Sequence, residues 1–270
     1  MTGLMVQADE SVTRVNRGAR ASLRGAVIAA GVLACAALVI ALLRLPQLPS
    51  EEKVIAAFST SLRGRAHSQV HNVRLALAAL DGAVIRPGAE FSFNRTVGPW
   101  TVDRGYRRAP VSFSGEMVLD WGGGVCQAST TLYNAALLAG LPILERHRHH
   151  WPASYVPSGQ DAAVAYPGVD LRFRNSLASP IRVSARIVGE SVRVRLCSRA
   201  RPPAVQIARD VLAVEPAMVT RLISDGTRRG PARGKPGCEV AVYRIFLGGN
   251  SRRELVSRDT YPPLNRVVSR

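Results

Sequence analysis

The sequence predicts an α+β fold: a single transmembrane helix, then a mixed helix and antiparallel-sheet domain, then a small β-rich C-terminal module. Three observations carry that expectation. An uncharged apolar run from Gly25 to Leu43 stands near the N-terminus. Only two later segments repeat apolar residues strongly at helical spacing, and short alternating segments punctuated by Gly and Pro fill much of the rest.

The run at 25–43 comes close to spanning a hydrocarbon core of ~30 Å at ~1.5 Å per residue. Arg14, Arg17, Arg20 and Arg24 precede it and only Arg44 follows closely, which keeps residues 1–24 cytoplasmic and makes 25–44 an anchor. The Arg44-Leu45-Pro46 sequence offers no small-x-small cleavage site, so a retained anchor is favoured over a cleaved signal peptide. Residues from 45 onward are then expected outside the cell membrane. The net charge is +17, with Lys53 and Lys235 the only lysines. An external basic protein is drawn to anionic wall polymers or lipid headgroups. The same charge would suit nucleic acid, but the anchor argues against that partner.

In the external part, Val70, Val73, Leu75, Leu77 and Leu80 predict a helix over 68–80, closed by Asp81-Gly82. A short strand at 83–86 turns at Pro87-Gly88 into a strand at 91–93, and Val97-Gly98-Pro99 and Arg104-Gly105 mark loops. Strands at 110–113 and 116–119 lead to the glycine triplet Gly122, Gly123, Gly124. Beyond the next helix, strands are expected at 143–149, 162–166 and 171–174. Segments 181–188 and 192–196 form a hairpin around Gly189. Arg199, Arg201, Pro202 and Pro203 suggest a boundary between a domain at 45–198 and an extension at 199–270. Within the extension, 205–214 is ambiguous, 226–237 is a Gly/Pro/Arg-rich loop, and 240–247 with 253–256 reads as a hairpin.

The functional signal is the stretch from Trp121 to Tyr133, WGGGVCQASTTLY. Leu132, Ala135, Ala136 and Ala139 form an apolar helical stripe that Gly140 and Pro142 end. Cys126 therefore falls at a helix N-terminus, where free N–H groups and the helix dipole favour a thiolate. Gly123 and Gly124 would let a substrate approach the backbone, with Gln127, Ser129 and Thr130 beside it. The next segment reads Glu145-Arg146-His147-Arg148-His149-His150, and in a strand His147 and His149 share one face. Asp161 opens the strand after that. A thiol, an imidazole and a carboxylate in this chain order suit nucleophilic catalysis, as in papain-like and transglutaminase-like enzymes, with His149 or His147 as the base. Other readings stand beside it: solvated histidines, Asp161 as a turn residue, and a zinc ion held by Cys126, His147, His149 and Asp161. No CxxC or HExxH motif supports the metal, and no cofactor is called for. Of the four cysteines, Cys197 and Cys238 are candidates for a disulfide in an oxidising compartment, leaving Cys126 free.

Several stretches together resemble the VanW-like family: RPGAEFSFNRTVG (86–98), GYRRAPV (105–111), GGGVCQASTTLYNAALLAGL (122–141), ERHRHHWP (145–152) and YVPSGQDAAVAYPGVDLRFRN (155–175). The resemblance covers roughly half of the chain. It implies a cell-envelope setting and a link to peptidoglycan or glycopeptide (vancomycin) resistance, without an established chemistry. Two functions remain in play. One is a thiol acyl-transfer or amide-hydrolysing enzyme acting on peptidoglycan, with Cys126 as nucleophile, Asp161 orienting the histidine, Arg146 or Arg148 holding a stem-peptide carboxylate, and Glu145 beside them as a further substrate-binding candidate. The other is a non-catalytic wall-binding or accessory protein whose glycine loop cradles an anion.

Overall fold

The computed structural model describes residues 51–113, 116–222, 234–248 and 251–269. The expected anchor at 25–43 and most of the loop at 226–237 lie outside the described residues. Among the described residues no helix is long and apolar enough to cross a membrane.

The architecture is α+β. Strands β1 (Lys53–Ser61), β9 (Ser191–Ser198), β8 (Ile181–Val188) and β2 (Val84–Ile85) form an antiparallel sheet in the order β1-β9-β8-β2. The inward residues of the β8–β9 hairpin, Ile181, Val183, Ala185, Val192, Val194 and Leu196, are all buried, as strict alternation on a half-covered sheet requires. Two helices cover that face: α1 (His67–Leu80) lies on β8, and α3 (Val125–Leu138) lies on β1 and β9. Between them in sequence, Phe93 does not continue a strand. It opens the short helix α2 (Phe93–Val97), because the Ser92 hydroxyl accepts from Arg95 N at 3.1 Å as an N-cap.

Three smaller units surround this layer. β3 (Glu90–Ser92), β7 (Arg172–Arg174) and β6 (Ile143–Glu145) pair in the order β3-β7-β6, and β4 (Arg108–Phe113) pairs with β5 (Glu116–Trp121). The ambiguous segment becomes β10 (Ala204–Glu215), which joins β12 (Gly237–Leu247) and β13 (Arg252–Tyr261) in the order β10-β12-β13. A parallel pair, β11 (Val219–Leu222) with β14 (Arg266–Ser269), completes the described elements. Residues Glu51–Arg270 fold as one compact unit. The proposed disulfide is not formed: Cys197 and Cys238 are both free thiols, on β9 and β12 respectively.

Helix α3 is the structural centre. A helix apolar on one stripe would keep an exposed face, but nearly every residue from Val125 to Leu137 is buried. Its polar residues are therefore committed to internal hydrogen bonds. Thr131 Oγ1 lies 2.8 Å from Thr60 Oγ1, and Gln127 Nε2 donates to Thr60 Oγ1 at 3.1 Å and Ser61 O at 2.8 Å, tying α3 to β1.

Candidate functional site

The turn that launches α3 is fixed from both sides. Asn72 on α1 donates to Arg107 O at 2.8 Å and Gly123 O at 3.0 Å, and Gln69 donates to Pro110 O at 2.8 Å. Gly124 has φ 105°, and a Cβ there would sit 2.6 Å from Gln69 O. At Gly123 a Cβ would sit 2.8 Å from the Ala109 and Pro110 carbonyls. These glycines let the chain pass between α1 and the β4–β5 hairpin. Their closest neighbours are the protein's own backbone, in place of the substrate approach expected from sequence.

One face of α3 then zips onto the segment 160–164. Asn134 Nδ2 donates to Gln160 O at 2.7 Å, Thr130 Oγ1 accepts from Ala162 N at 2.9 Å, and Val164 N lies 3.5 Å from Cys126 Sγ. Cys126, Thr130 and Asn134 are four residues apart, so each helical turn, a rise of ~5.4 Å, meets two residues of extended chain at ~6.6 Å. The sulfur also lies 3.4 Å from Val164 O. Cys126 is partly buried and packs against the core.

On the far side of the same segment, the Asp161 carboxylate has a side-chain exposure of 1%. Its Oδ2 accepts from both His149 N and His149 Nδ1 at 2.6 Å. Its Oδ1 accepts from Arg146 Nη2 at 3.1 Å and from the Tyr261 hydroxyl. With Nδ1 committed to Asp161, the other ring nitrogen of His149 is left for a second partner, and the ring lies close enough to Cys126 for their charges to interact.

The charges follow from this geometry. Burial raises the Cys126 thiol pKa, but the neighbouring His149 outweighs burial and leaves it below the ordinary thiol range. Burial alone would lower the His149 pKa, whereas Asp161 and Cys126 together raise it to about 10. Asp161 is raised by burial and lowered more by His149 and Arg146, to about 2. The arrangement favours the thiolate form of Cys126 beside a charged His149 ring, with an ionised carboxylate behind.

Sequence reasoning expected His147 and His149 on one face. Strand pairing stops at Glu145, however, and only an isolated bridge joins His147 to Ala163. The alternation therefore fails. The His147 ring turns outward to Glu145 Oε1 at 3.0 Å, with 46% side-chain exposure, while His149 turns in to Asp161. Glu145 is engaged by His147, Asp170 N and Arg172.

Most of the expected substrate-binding residues have internal partners. Gln127, Ser129 and Thr130 are buried, and Ser129 Oγ donates to Ala162 O at 2.6 Å. Arg146 has 7% side-chain exposure and is saturated by acceptors. It bonds Asp161, and Nη1 meets both oxygens of Asp259 at 2.7 and 2.6 Å. Arg148 donates to His149 O at 2.8 Å and lies over the Tyr261 ring at 5.4 Å.

Two residues the sequence did not single out belong to this cluster. Tyr261 on β13 donates to Asp161 and accepts from Gly159 N at 2.8 Å, and Asp259 neutralises Arg146. The C-terminal sheet thus supplies part of the cage around the carboxylate. The four-residue spacing of Cys126, Thr130 and Asn134 was a visible signal for the helix-to-strand zipper. Nothing near 126–161 pointed to residues a hundred positions later.

The fold and site define an α+β domain that gathers Cys126, His149 and Asp161 around the segment 161–164. Residues 68–197 match the family model described as VanW like protein, so the chain carries a VanW-like domain and is homologous to that family. It is 43% identical over 131 residues to "Uncharacterized protein YoaR" of Bacillus subtilis, covering 48% of this chain and 43% of that protein. It is 29% identical over 143 residues to "Vancomycin B-type resistance protein VanW" of Enterococcus faecalis, covering 51% of this chain and 52% of that protein. The chain thus aligns with about half the length of these relatives. No solved structure is a significant match.

Proposed function

We propose that the chain is a membrane-anchored, extracytoplasmic cell-envelope protein whose external domain carries out thiol-dependent acyl transfer or amide hydrolysis on peptidoglycan. The observation that supports this most is the gathering of Cys126, His149 and Asp161 around one segment, with His149 Nδ1 on Asp161 at 2.6 Å and Cys126 Sγ against Val164 N at 3.5 Å. In this reading the Cys126 thiolate attacks the carbonyl carbon of an amide. The C–N bond breaks as the His149 imidazolium gives its proton to the departing amine, leaving a thioester. Water or an acceptor amine then attacks the thioester, His149 takes up the proton, and the thiolate is released. Asp161 fixes the ring and balances the imidazolium throughout.

A place for the developing oxyanion fits the local backbone. The amides of Val125 and Gln127 bond Gly122 O and Gly124 O at 2.9 Å each, which leaves the Cys126 N–H between them for a substrate oxygen. No metal or cofactor enters this scheme. The envelope setting and the amide substrate rest on the expected anchor at 25–43, the basic charge, and the similarity to a protein named for vancomycin resistance.

Alkylation of the external domain by iodoacetamide across a pH series tests the thiol. Reaction at Cys126 is expected to rise at a pH below the ordinary thiol value of ~8.5, and a profile centred near ~8.5 overturns the activated nucleophile. Peptidoglycan fragments incubated with wild type and Cys126→Ala, then resolved by mass spectrometry, test the reaction. Unchanged wall phenotype and fragment binding in Cys126→Ala would favour a binding protein.

A further inference from the structure

An enzyme that acylates a thiol beside an anionic peptide needs a cation that is not already neutralised, and sequence had offered Arg146 and Arg148. Arg146 is fully engaged by Asp161 and Asp259, and Arg148 by the His149 carbonyl and the Tyr261 ring. A further cation, Arg65, lies in the turn between β1 and α1 and, unlike Arg148, keeps a buried N–H without an acceptor. Its Nη2 donates to Ser154 Oγ at 3.1 Å and its guanidinium lies over the Tyr155 ring at 4.9 Å. No carboxylate pairs with it among the described residues, and its Nε–H is buried without an acceptor. A guanidinium carries five N–H donors, so most of its hydrogen-bonding capacity is unused.

Tyr155 places that cation. Its ring supports the guanidinium at 4.9 Å to the centroid. The turn that carries Arg65 packs against the start of α3, where Cys126 lies: Gln127 Nε2 donates to Ser61 O at 2.8 Å, and Gly124 abuts Gln69 O. Arg65 also lies before the residues matched by the family model, which begin at 68.

We propose that Arg65 is a specificity residue that binds a substrate carboxylate, so that the preferred substrate is a peptide bearing a free carboxylate near the amide attacked by Cys126. This rests on the thiol reading above. The planar guanidinium fork matches a carboxylate through paired N–H donors, which a lysine cannot reproduce.

The test uses two thiol-directed probes that differ only in charge, chloroacetyl-alanine and chloroacetyl-alaninamide, and reads the ratio of their alkylation rates at Cys126. The ratio cancels any change in the thiol itself, and it requires no turnover. Wild type is expected to favour the carboxylate probe by roughly fivefold or more, a factor of the size one charge-assisted contact provides. That preference should vanish in Arg65→Gln, fall partly in Arg65→Lys, and weaken as salt is raised in wild type. A ratio near one in wild type, or an equal preference in wild type and Arg65→Gln, overturns the proposal. If Arg65→Gln does not fold, a salt-independent preference in wild type overturns it equally. An ordinary thiol pH profile with a strong carboxylate preference would instead sink the catalytic reading and leave an Arg65 anion site.

Discussion

Replacing Tyr261 by Phe removes one oxygen from the cage around Asp161 and leaves the ring that packs under Arg148. That hydroxyl donates to the buried Asp161 carboxylate and accepts from Gly159 N at 2.8 Å. A hydrogen bond to a charged group contributes about 1.5–3 kcal/mol. The neutral bond contributes about 1, and a stranded buried N–H adds about 1 more. The expected loss is therefore about 3–5 kcal/mol, a large fraction of the ~5–15 kcal/mol that holds a typical domain. Urea denaturation followed by tryptophan fluorescence and by far-ultraviolet circular dichroism measures it. At a slope of ~3 kcal/mol per molar, the midpoint should fall by about 1–1.7 M in both signals. A loss below about 1 kcal/mol would refute the claim that the C-terminal sheet helps to hold the carboxylate.

The two histidines separate cleanly. His149→Ala should return Cys126 alkylation to an ordinary thiol pH profile, while His147→Ala, whose ring faces solvent and Glu145, should leave that profile unchanged. Gly124→Ala should destabilise the domain by roughly 2–3 kcal/mol in thermal or urea unfolding, since φ 105° and a Cβ 2.6 Å from Gln69 O both oppose it. For pH, Asp161 is held at about 2 against an ordinary value of 3.8, so its depressed pKa adds stability above 3.8 that is lost as pH falls through about 2. The contribution is on the order of 2 kcal/mol. Carboxyl 13C shifts should show Asp161 titrating at the acid end of that window, and titration near 3.8 contradicts the burial and ion pairing described.

The sequence by itself determined the α+β class, the two long helices, the β8–β9 hairpin and the glycine-to-cysteine turn. All of these are written in local periodicity and turn residues, which depend on near neighbours along the chain. It also placed Cys126, His149 and Asp161 as candidates, because their residue types carry their chemistry wherever they stand. It could not choose between His147 and His149. That choice depends on where pairing with β7 ends, at Glu145, after which each ring follows its own partner. Nor could it foresee that Gln127, Ser129, Thr130 and Arg146 would spend their polar groups inside the fold. Burying α3 on all sides leaves those groups no water, so they must find partners, and tertiary packing decides which. The contribution of Asp259 and Tyr261 to the Asp161 cage is the clearest case. A buried carboxylate needs donors in three dimensions, and the chain supplied them from a sheet about a hundred residues away.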